Sequence, residues 1–206
     1  MYKSDPRRRL YNPSLYEVFG DDSGLGVNRE YVCWTGVTWD EAKTAAEDEV
    51  ELLEKFAGDP DGIEQLRTDA FEEEEEADSL YPLDLGVGGA VFAVSAAGLV
   101  PISSCNGLSG HLEIEAMVVF ASDESRYSLV KEAAARSVCD LFLEGYGDGS
   151  IVVVQSADWR RIQQFGVEIR ARAAQFDRCA SVATSDQLTL DDSSDRVFFS
   201  NQVSLF

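Results

Sequence analysis

Residues 116–156 read AMVVFASDESRYSLVKEAAARSVCDLFLEGYGDGSIVVVQS, and the changes of period along this stretch decide the fold. The run AMVVFA at 116–121 is uncharged and fully apolar, with the length of a strand. From 123 to 136 the spacing of Tyr127, Val130 and Ala134 is helical. Strand composition returns at 138–143 and 150–155. The glycines of the intervening Glu144-Gly145-Tyr146-Gly147-Asp148-Gly149 make a hairpin the natural connection. Strand, helix, strand, strand is the order of a split βαβ sheet, in which the crossover helix packs on one face.

Working outward, Ser156 can cap a helix whose Trp159, Ile162, Phe165, Ile169, Ala173 and Phe176 form one apolar face. On the other side, residues 100–104 read as a strand. Before them comes a Gly/Ala-rich helix that Asp84 can cap, with small residues that let a neighbouring backbone approach closely. The expected fold class is α/β (mixed α+β). Helix, strand, strand, helix, strand, strand, helix surround a small mixed sheet, and the core domain is 81–176.

The rest of the chain divides by composition. Residues 1–37 read as an irregular aromatic arm and 38–80 as a helical pair packed on the core. In that pair Thr38 and Glu41 have capping-box spacing, and Trp39, Ala42, Ala46, Val50 and Leu53 recur at helical intervals. A helix over 39–56 is predicted, and a second one after Asp61. Residues 177–206 read as a polar linker followed by an apolar segment, which is expected to close the core, add to the sheet edge or dock on a partner.

Two functional classes are disfavoured by charge and hydropathy. Asp and Glu outnumber Lys and Arg 38 to 17, a formal charge of -21, and such a field repels nucleic acid and anionic membrane surfaces. The uncharged block LGVGGAVFAVSAAGLV at 85–100 is shorter than the roughly 20 residues of a membrane span, and Pro101 follows it. A buried core helix is expected there. The chain has four lysines (Lys3, Lys43, Lys55, Lys131) against thirteen arginines. That bias fits a high-salt cytoplasm, in which dense carboxylates are screened, and a GC-rich genome would give a similar bias; the negative surface could also dock on a basic partner.

Cys33, Cys105, Cys139 and Cys179 form no Cys-x-x-Cys pair, and the chain has a single His. No zinc site can be built from neighbouring ligands, and neither a metal nor a cofactor is expected. The start MYKSDPRRRLYNPS lacks an apolar stretch after its basic residues, so the expected setting is cytoplasmic, with the cysteines as thiols. Familiar motifs fail on spacing. Gly86-Val87-Gly88-Gly89-Ala90-Val91 has the first two glycines of a dinucleotide loop but ends in Val. Asp59-Pro60-Asp61-Gly62 mimics a calcium loop without its bidentate carboxylate. Arg160, Arg161, Arg170 and Arg172 make the last helix the most basic stretch, open to an anionic ligand, but they are expected to pair with the surplus carboxylates.

One loop carries candidate chemistry. Pro101-Ile102-Ser103-Ser104-Cys105-Asn106-Gly107-Leu108-Ser109-Gly110-His111 brings a Cys near the unique His, among small polar residues between two strands. If 111–115 is extended, His111, Glu113 and Glu115 share one face. A thiolate, a base and an orienting carboxylate are the parts of a nucleophilic site, so the catalytic candidates are Cys105, His111, Glu113 and Glu115. Ser104, Asn106, Gly107 and Gly110 are the ligand-binding candidates, with loop amides as oxyanion donors. The competing reading is a glycine-rich turn with a half-buried Cys.

The expected function is that of a soluble, acidic, non-catalytic interaction or regulatory subunit of a larger assembly, with a protein partner or self-association. The alternative is a small thiol-dependent hydrolase or transferase using Cys105 and His111.

Overall fold

A computed structural model of the chain describes residues 10, 11, 13, 34–55, 83–107, 115–146 and 149–179. The helix expected after Asp61 and the apolar C-terminal segment lie outside these residues. The first helix, α1 (Trp39–Lys55), starts where the capping box places it. Glu41 N–H donates to Thr38 Oγ1 at 3.2 Å, and Thr38 N–H donates back to Glu41 Oε2 at 2.7 Å. Its buried stripe is not the predicted one, however. Ala42, Ala45 and Glu49 are buried whereas Val50 is 48% exposed, so the helix is rotated to bury an acid that pattern reading assigns to solvent.

The Gly/Ala-rich segment forms α2 (Gly88–Ala96), and all but its last residue is buried. Among the described residues no helix is long and apolar enough to cross a membrane. Small residues set its packing. A Cβ on Gly166 would lie 2.9 Å from the Ala90 Cα, so α2 meets the last long helix nearly backbone to backbone. Ser95 Oγ donates to the Trp34 carbonyl, and the Trp34 and Phe92 rings pack 4.8 Å apart.

Next come β1 (Val100–Cys105), β2 (Ala116–Ala121), α3 (Glu124–Ser137), β3 (Asp140–Tyr146), β4 (Gly149–Ser156), α4 (Trp159–Arg170) and α5 (Ala173–Phe176). The class is mixed α+β. Among the described residues it has five helices and a four-stranded open sheet of order β1-β2-β4-β3. All three ladders are antiparallel, and the one parallel element is the bridge of Leu10 to Ser150. Because β4 lies between β2 and β3, those two run parallel and α3 is the crossover of a split βαβ unit.

The alternation of β2 and β4 explains the layers. Val118, Phe120, Val152 and Val154 face α2, α3 and α4 in the main core, where the Phe120 and Phe165 rings stack 6.4 Å apart. Val119, Ala121, Ile151 and Val153 face the other way and join Ile102 and Tyr11 in a second cluster. Leu10 bridges β4 beyond the end of β2. Tyr11 N–H donates to the Ser150 carbonyl at 2.8 Å, and its ring meets Tyr146 edge-on at 4.9 Å.

Capping differs from the sequence reading at two helices. Asp158, not Ser156, caps α4 by accepting from Arg160 N–H, while Ser156 Oγ accepts from Asp158 N–H. Asp84 does not cap α2, whose N-cap Val87 offers no side chain. At the far end of α3, Val138 takes the left-handed position of a Schellman turn, φ 58°, with Cys139 N–H bonded to Ala134 O at 3.0 Å. A β-branched residue is strained there, and Val138 is 64% exposed, so it gains little burial in return. Val138→Gly is expected to stabilise the protein by about 1 kcal/mol, read as a higher urea midpoint at unchanged slope. A lower midpoint would mean that the Val138 side chain holds the turn by packing.

Candidate functional site

β1 carries the residues singled out in the sequence to the mouth of the loop at 108–114. Ser104 stands opposite Val118 in the ladder, and Cys105 opposite Met117. Met117 belongs to the face turned away from α2, α3 and α4, so Cys105 lies on that face too, and it is buried. Gly107 N–H points at Cys105 Sγ, 3.4 Å away. Asn106 is also buried and held at both ends. Its N–H donates to Asp84 Oδ2 at 3.2 Å and its Nδ2 to the Leu85 carbonyl at 3.1 Å. The carboxylate expected to cap α2 thus fastens the end of β1. Gly107, at φ 69°, lets the chain pass against Glu115 and Ala116, so Glu115 sits beside the end of β1. His111, Glu113 and Gly110 lie outside the described residues.

The glycine loop before α2 has an anion of its own. Glu49 reaches in from α1, where Gly86 N–H donates to Oε1 at 2.9 Å and Gln163 Nε2 to Oε2 at 3.2 Å. The backbone of Gly88 and Gly89 also lies close enough to favour the charged carboxylate. A charged side chain from 37 residues away in sequence therefore caps α2 and meets the positive end of its dipole. Burial pushes the Glu49 carboxyl above its ordinary value, against the pull of these hydrogen bonds. A cavity of about 40 Å³ lies beside it, lined by Glu49, Gly89, Gln163, Val167 and Arg170 among others. That is room for water and not for a metabolite. The sequence signal for Glu49 was its spacing, in step with Ala42, Ala45 and Leu52.

The basic residues of α4 and its end divide between two kinds of acceptor. Arg160 lies 3.5 Å from Asp158 and stacks on Trp159, and Arg172 bonds Glu168 Oε2 at 2.8 Å. Arg161 instead donates to the Val138 carbonyl at 3.1 Å, and Arg170 to the Ala42 carbonyl at 3.0 Å. Half of the expected carboxylate pairs are thus replaced by bonds to backbone carbonyls that tie α4 to the α3 turn and to α1. Among the described residues no group of three His, Cys, Asp or Glu side chains could hold a metal ion.

The two sheet edges are unlike. β1 carries Pro101, and its register slips between Pro101 and Ser103. A proline and a bulge both obstruct pairing by a further strand. β3 has neither, and its register with β4 is continuous from Asp140 to Tyr146. Among the described residues no strand lies on its outer side. Leu141 and Leu143 turn inward, while Asp140, Phe142 and Glu144 are exposed on the face turned away from α2, α3 and α4. Phe142, 38% exposed, is one of the few large apolar side chains that the described fold leaves in solvent.

No protein-family model, curated protein or solved structure matches the chain.

Proposed function

We propose that the protein is a non-catalytic interaction subunit that holds an extended segment of a protein partner along β3. The observation that carries this reading is the contrast between the edges. A regular strand with outward backbone N–H and C=O groups is a template for a further strand, and folds usually blunt such an edge. Among the described residues β1 alone carries a proline and a bulge, whereas β3 combines a regular, unpaired outer backbone with an exposed phenylalanine. Strand addition takes affinity from main-chain hydrogen bonds and specificity from alternate side chains, both of which β3 offers.

The test is isolation of the tagged full chain from the cells that make it, followed by hydrogen exchange with and without its companion. The expected result is a stoichiometric protein partner and slowed exchange of amides in residues 140–145 in the complex. A chain recovered alone, or a complex in which these amides exchange as fast as in the free protein, overturns the proposal.

A further inference from the structure

We infer that the segment taken up by β3 is basic, with Lys or Arg two residues to either side of an apolar residue. This deepens the strand-addition reading and rests on it. Along the outward side of β3 the order is acid, aromatic, acid: Asp140, Phe142, Glu144, at the spacing of two that places them on one face. A strand laid beside β3 sets its own alternate residues against these three. Opposite charges directly across a pair of strands attract and like charges repel, while an aromatic favours a β-branched or aromatic neighbour. The complementary strand therefore reads basic, any, apolar, any, basic, a pattern that is its own reverse and fits either strand direction.

The same charges argue against a second copy as the occupant. Pairing β3 with itself about a two-fold axis through Phe142 would set Asp140 against the partner's acidic positions, between chains of formal charge -21 each. A short heteromeric segment avoids that repulsion. The chain's overall negative field would also speed the approach of such a segment, whereas the order of charges along β3 fixes its register.

Labelled heptapeptides with lysine, threonine, isoleucine, threonine, lysine at their centre, and with glutamate replacing both lysines, are the probes. They are titrated into the full chain, with fluorescence anisotropy and hydrogen exchange as readouts. The basic peptide is expected to bind at least about tenfold more tightly than the acidic one and to slow exchange at 140–145. In the double variant Asp140→Lys, Glu144→Lys, the preference is expected to invert. Both positions are exposed, so the variant should fold, and an unchanged thermal midpoint checks it. The variant remains strongly acidic, so general attraction to a basic peptide persists and cannot produce the inversion. If both peptides protect 140–145 equally, strand addition stands and the charge pattern is overturned. If neither protects these amides, strand addition at β3 fails with it.

Discussion

Glu49→Ala is expected to lower the stability of the protein by about 3 kcal/mol or more, a fall in thermal midpoint of about 6 °C or more. The carboxylate is 1% exposed and accepts from the amide of Gly86 and from Gln163. Alanine leaves these donors buried without a partner, and each unsatisfied group costs about 1–3 kcal/mol. It also removes a carboxylate at the N-terminus of α2, which has no side-chain cap of its own. Glu49→Gln keeps one carbonyl oxygen and should lose less, because Gln163 can turn its amide to match. The pH dependence has a definite sign. The folded-state pKa is raised above the unfolded value near 4.5, so the stability contributed by Glu49 is complete below that pH. It declines as the pH rises through the folded value. The difference between the parent and Glu49→Gln, in which the other carboxylates cancel, is expected to shrink on raising the pH. A midpoint for Glu49→Ala equal to that of the parent would remove the buried cap from the account.

Gly107→Ala is the second large effect, and Gly36→Ala is its control. Both glycines have positive φ, 69° and 80°. A left-handed alanine costs about 1–2 kcal/mol wherever it occurs. At Gly36 a Cβ would meet nothing within 4 Å, so that variant carries the conformational cost alone. At Gly107 the Cβ would lie 2.6 Å from both the Ala116 nitrogen and the Glu115 carbonyl carbon. These are backbone atoms at the start of β2 and cannot turn aside as a side-chain end would. The total for Gly107→Ala is expected to be about 3 kcal/mol. Equal losses for the two variants in urea unfolding would show that the close approach at β2 carries no energy of its own.

The elements that were legible in the sequence are those whose period is unbroken. AMVVFA gave the bounds of β2 to the residue, and the capping box of Thr38 and Glu41 gave the start of α1. The order of the split βαβ unit followed from strand and helix periods alone. What escaped was any contact that sends a polar group inward. Glu49 lies in the buried stripe of α1, but an acid there scores as solvent-facing until the Gly86–Gly89 amides are known to surround it. Asp84 has the right position for a cap, yet Asn106 N–H competes for its carboxylate across the fold. Of the loop residues singled out, Cys105, Asn106, Gly107 and Glu115 do gather where β1 and β2 meet, because a hairpin register brings strand ends together. The acid-aromatic-acid order of β3 was visible in the sequence as Asp140, Phe142 and Glu144. Its meaning was not, since only the strand order reveals which strand is left at an edge.

The position of β4 bears on how the chain survives its own synthesis. Among the described residues β4 is the last strand made, and it separates β2 from β3. Until residues 149–156 leave the ribosome, AMVVFA has β1 but not β4 beside it among the described strands, and its other side is an apolar, uncharged edge of the kind that seeds aggregation. The nascent chain at that stage already carries the acidic run 72–76 and most of the carboxylates that make the protein so negative. Like charges hold neighbouring nascent chains apart during that interval. The surplus of acid, read from the folded protein as a surface property, thus also acts as the gatekeeper of an unfinished sheet.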